Sequence, residues 1–99
     1  MFIVLLKFSA HKAKAPELMA DHNAWLQQGF DDGVFLLAGS LQPQLGGSIL
    51  AHNTQREALL QRVEEDPFVA HGVVSAEILE ISPGRTDPRL AFLQAEAAA

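Results

Sequence analysis

The chain has 99 residues, seven Lys and Arg against twelve Asp and Glu, a net charge of −5, and 48% apolar residues. This length holds one small domain, and such a domain buries only about 60–65% of the surface its unfolded chain exposes, so the apolar excess calls for a partner surface or a pocket. An acidic chain with no basic run does not suit nucleic acid, and the absence of cysteine excludes disulfides, thiolate metal sites and thiol nucleophiles.

Phe2–Phe8 is a short apolar run without alternation and reads as a strand buried on both faces. Its apolar part ends at Lys7, too soon for a secretory segment. Nothing in the chain approaches the ~20 apolar residues of a membrane span. A cytoplasmic protein without membrane contact is expected.

Pro16 suits the first turn of a helix, and the helix is expected from Pro16 to about Phe30. Leu18, Trp25, Leu26 and Phe30 mark its apolar face, and His22 falls on that face one turn from both leucines. Asp31 and Asp32 oppose the negative end of the helix dipole, so the helix is expected to stop before them, with Gly33 as a left-handed cap. Val34–Ala38 reads as a second buried strand ending at Gly39-Ser40. A third follows at Ser48–His52, and the short Pro- and Gly-bearing connection predicts an antiparallel hairpin.

Thr54 and Glu57 have capping-box spacing for a second helix. That helix must stop near Asp66, because Pro67 disfavours helical geometry in the residue before it. Val73–Ile81 reads as a fourth strand. Asp87-Pro88 starts a short C-terminal helix, gripped by Leu90, Phe92 and Leu93, and Ala97–Ala99 is expected to fray. The order β-α-β-β-α-β predicts an α+β, ferredoxin-like antiparallel sheet in a domain of residues 1–82, followed by a tail, 83–99. Two helices cover one face of such a sheet, and the apolar strands predict a homodimer through the open one.

The chain has no phosphate loop, no nucleophile elbow and no tyrosine, and its four histidines fall too far apart for a helical metal clip, so no metal or cofactor is expected. His22 reads either as a satisfied core histidine or as a general acid/base at the bottom of a pocket. Glu64, Glu65 and Asp66 place three carboxylates at a helix end where the dipole disfavours them. Glu64 and Glu65 read as solvated. Asp66 reads either as a cap for the turn with Pro67 or as the partner that fixes the His22 tautomer. Gly39-Ser40 reads as a strand terminus or as a pocket lip whose N–H groups or hydroxyl hold a substrate oxygen. Phe68 reads first as a core anchor, Trp25 as both anchor and pocket wall, and both stay candidates for substrate binding. His11, His52 and His71 read as surface or strand-end residues.

His22 and Leu26, Gly33, Ala38-Gly39-Ser40, Gly46-Gly47 and Asp66-Pro67-Phe68, in this order, resemble the YCII-related (YciI-like) family over about Met1 to Ile81. The resemblance implies a dimeric α+β barrel, related in architecture to muconolactone isomerase and small monooxygenases. It implies an active site of one His and one Asp, matched by His22 and Asp66, and family glycines matched by Gly33 and Gly39. Many members carry Arg three residues before the His, where this chain has Met19. An activity described in the family is dehydrochlorinase-type elimination on a chlorinated hydroxyquinone.

These residues suggest a cofactor-independent enzyme, a lyase or isomerase moving a proton on a small ring or enol substrate. Two other readings are a non-catalytic small-ligand-binding or accessory protein, and a cofactor-free monooxygenase of the same barrel type.

Overall fold

The computed structural model describes residues 1–98, with side chains through Gln94; Ala99, and with it the expected fraying of the alanine end, lies outside the described residues. Four strands, β1 (Phe2–Phe8), β2 (Phe35–Leu41), β3 (Gly46–Ala51) and β4 (Val74–Glu80), form one antiparallel sheet in the order β2-β3-β1-β4. The helices are α1 (Ala15–Asp31), α2 (Arg56–Glu64), the single-turn α3 (Pro67–Ala70) and α4 (Ala91–Ala98). The fold is the expected ferredoxin-like α+β arrangement, with the two outer strands following the two crossover helices.

Side-chain alternation sorts the sheet into two faces. Phe2, Val4 and Leu6 of β1, with Ile49 and Ala51 of β3, are buried against Leu59 and Val63 of α2 and Phe68 of α3. Leu18, Trp25 and Leu26 of α1 close this core from one side. Ile3 and Leu5 point the other way and pair laterally with Leu50, Ser48, Leu79 and Glu77. Leu37 and Leu79 are 51% and 43% exposed, so an apolar strip crosses the face that α1–α3 leave open.

Gly29 decides how closely α1 lies on β2. It is buried in the last turns of the helix, and a Cβ there would collide with the ring of Phe35. Phe30, expected on the buried face, is instead 39% exposed and meets Phe35 edge-on.

Several expected boundaries move. α1 continues through Asp31, with Asp32 as its C-cap and Gly33 at φ 74°. The two carboxylates are tolerated because each accepts a hydrogen bond from one turn back, Gln27 Nε2 to Asp31 and Gln28 Nε2 to Asp32, and Asp32 also accepts from Arg62 Nη2 at 2.9 Å. The capping box is not formed. The chain turns at Asn53, with φ 55°, and α2 begins after Gln55 without a side-chain cap. Thr54 Oγ1 donates instead to the Gln55 carbonyl at 3.4 Å. Gly39 and Ser40 do not end β2 but lie inside it, because both stay extended and pair with Ser48 and Gly47. β3 starts at Gly46, whose φ is 133° and where a Cβ would collide with the Leu6 carbonyl, so glycine lets the hairpin reach β1.

Asp87 caps a short 3₁₀ turn, Pro88–Leu90, that leads into α4. Leu93 is buried, whereas Leu90 and Phe92 are largely exposed.

Candidate active site

α2 ends at Glu64, and Pro67 holds Asp66 extended, at φ −60° and ψ 123°. Asp66 is therefore free to cap α3. Its Oδ1 accepts from the Phe68 backbone N–H at 3.0 Å. The same oxygen bonds His22 Nδ1, across 44 residues of sequence, at 2.8 Å. One oxygen of Asp66 thus both caps the turn and meets the histidine. The carboxyl is 0% exposed, and among the described residues Oδ2 has no hydrogen-bond partner.

A carboxylate only accepts, so with Asp66 as carboxylate the shared bond takes its proton from His22 Nδ1, and in the matching neutral tautomer Nε2 carries the lone pair. Two aromatic rings lie against the imidazole. Phe68 stacks on it at 4.0 Å and 4° from parallel, and Trp25 lies 5.9 Å away at 28°. With 12% of its side chain exposed, His22 keeps one route to a ligand.

That route is a cleft of about 300 Å³ between α1 and the ends of β1, β2 and β3. Its floor is Leu6 and Ile49, its walls include Leu26, Ala38 and Phe68, and Phe8 and Met19 also line it. Ser40 and Ala38 share the helix-side face of β2, since Ala38 pairs with the buried Ile49. The Ser40 side chain therefore stands on the cleft side of the sheet. Gly39 contributes backbone, and a Cβ there would meet nothing within 4 Å. Among the described residues, the side chains of Asn23 and Ser40 make no hydrogen bond within the chain. A ligand would meet polar groups in an otherwise apolar slot: His22 Nε2, the Asn23 amide and the Ser40 hydroxyl.

His22, Phe68, Gly39 and Ser40 thus come together around one cleft, with Asp66 behind the histidine. Trp25 does not line it. Its indole N–H donates to the Arg62 carbonyl at 2.9 Å and its ring packs edge-on against Phe35, which ties α1 to α2. Met19 and Asn23 also line the cleft, and neither is among the candidate site residues named from the sequence. With His22 and Leu26 they form a stripe at i, i+3, i+4 and i+7, a spacing that could have found them. Among the described residues, no group of three His, Asp or Glu side chains could hold a metal ion, and no helix is long and apolar enough to cross a membrane.

The YCII-related domain model matches residues 1–82. This chain belongs to the YCII-related family. Among solved structures, 5-chloro-2-hydroxyhydroquinone dehydrochlorinase from Burkholderia phenoliruptrix AC1100, in complex with 2,5-dihydroxybenzoquinone, superposes with a TM-score of 0.67 at 14% sequence identity. The match covers 85% of this YCII-related chain and 96% of the dehydrochlorinase chain, so the two share a fold. No curated protein sequence matches.

Proposed function

We propose that this YCII-related protein is a small enzyme whose His22 moves a proton on a small oxygenated ring or enol, without a cofactor. The observation that carries this reading is the 2.8 Å bond from His22 Nδ1 to the fully buried Asp66, which leaves Nε2 as the nitrogen free to serve the cleft. Nε2 takes a proton from a hydroxyl or an activated carbon of the ligand. The electron pair released moves into the ring system. Return of the proton at another atom is an isomerisation; when the released pair instead forms a new double bond and the leaving group departs with the pair of its own bond, the proton passing from His22 to water, the step is an elimination, as the dehydrochlorinase of the same fold is named for. Asp66 orients the imidazole and balances its charge while it holds the proton.

The Ser40 hydroxyl, on the cleft face, is the group placed to donate to oxygen on the ligand. Backbone N–H groups of β2 lie in the plane of the sheet and are less suited to that task. Phe68 holds the imidazole and forms one wall. The volume, about 300 Å³, is at the small end for ligand sites and suits a single ring. We further propose that two copies pack through the open sheet face.

The test is incubation of the protein with chlorinated and unchlorinated hydroxyhydroquinones, read by chloride release and by the appearance of ring isomers. Conversion by the wild type, reduced at least about 100-fold in His22→Gln, supports the reading. Conversion at an unchanged rate in His22→Gln contradicts it. Binding of these rings without any conversion favours the ligand-binding alternative.

A further inference from the structure

The charge of the chain is unevenly placed. All three lysines, Lys7, Lys12 and Lys14, lie in its first 14 residues, with no acidic residue before Glu17. The first 16 residues therefore carry +3, and the remainder, with four arginines and twelve acids, −8; the two sum to the net −5. Lys7 lies between Leu6 and Phe8 on β1, so its side chain leaves by the open face. Lys14 is the N-cap residue of α1. Lys12 alone touches the cleft wall: its ammonium sits 4.6 Å from the ring centroid of Phe8, which lines the cleft.

The cleft itself holds no Lys, Arg, Asp or Glu. Among the described residues, the Lys12 ammonium makes no hydrogen bond or ion pair within the chain. The aromatic face under it favours this placement over the many that a free lysine samples in water. All three ammonium donors remain available beside Phe8, which lines a slot that is otherwise neutral.

We propose that Lys12 is a specificity-determining residue that receives a carboxylate carried by the ligand of the cleft, while the uncharged ring of that ligand passes inward to His22. This proposal rests on the reading of the cleft given above and names the charge of what it takes. One ammonium without an arginine fork or a glycine-rich loop suits a singly charged carboxylate better than a phosphate dianion.

The test is a titration of the ¹⁵N-histidine-labelled protein with 3,5-dihydroxybenzoate and with its methyl ester, which differ in charge but not in ring. The wild type is expected to bind the carboxylate about two- to five-fold more tightly than the ester, and added salt should shrink the ratio. Lys12→Arg should keep the preference, and Lys12→Gln should bring the ratio to one. Equal affinities in the wild type, or a preference that survives Lys12→Gln, overturns the proposal. If neither compound shifts the His22 signals, the cleft reading falls, and this proposal with it.

Discussion

Asp66 makes two contacts with one buried carboxyl oxygen: it caps α3 through the Phe68 N–H and bonds Nδ1 of His22. Asp66→Asn keeps an oxygen for the cap but no longer holds the imidazole in one tautomer. Turnover in that variant should fall about 100-fold or more, while thermal unfolding reports a stability loss of about 1 kcal/mol. An unchanged rate would make Asp66 a cap and nothing more. The residue attracts notice in the sequence because a carboxylate at a helix end breaks a local rule, but its partner lies 44 positions away, and no spacing rule spans that distance. Trp25 shows the opposite limit. A large aromatic one turn from a candidate histidine suggests a pocket wall, yet its indole N–H faces α2. Which flank of a helix meets the sheet and which meets a cleft depends on its rotation in the fold.

At the scale of elements, α1 is placed by contacts with β2 and α2. Ala for Gly inside a helix is ordinarily favourable by about 1 kcal/mol, but Gly29→Ala should destabilise by about 1–3 kcal/mol because its methyl group meets the Phe35 ring. Chemical denaturation of the two proteins reads this directly. The end of α1 is held by charge. The Arg62 guanidinium, and then the Gln28 amide, hydrogen-bond Asp32 and hold its carboxyl below the ordinary 3.8. A carboxyl lowered in the folded state contributes stability that is present above its unfolded value and is lost as pH falls through the lowered one. Thermal melts should therefore show wild type above Asp32→Asn near neutral pH, with the difference closing below the ordinary 3.8.

The four strands and two long helices are legible from apolar runs and helical spacing because these elements bury continuous stripes. α3 is not, since four residues carry no period. The failed capping box has a similar cause: its two side chains fit, but a left-handed Asn53 sets where the helix begins.

For the molecule as a whole, α1–α3 take one face of the sheet and leave Ile3, Leu5, Leu37, Leu50 and Leu79 on the other. A domain of this size cannot easily leave such a strip wet. A second copy with the same strip is self-complementary about a two-fold axis. Light scattering should give twice 10.7 kDa for the wild type, and Leu37→Lys combined with Leu79→Lys should return the single-chain mass. A wild-type mass of 10.7 kDa at micromolar concentration would refute sheet-to-sheet pairing.

The most direct measurement of the central claim is hydrogen exchange at ligand carbon. Hydroxylated ring compounds incubated with the protein in D₂O are followed by NMR. The wild type should exchange or convert ring hydrogens. His22→Gln should do so at least about 100-fold more slowly, while still binding the same compounds. Exchange at the wild-type rate in His22→Gln, or binding by the wild type with no exchange or conversion at all, would contradict the account.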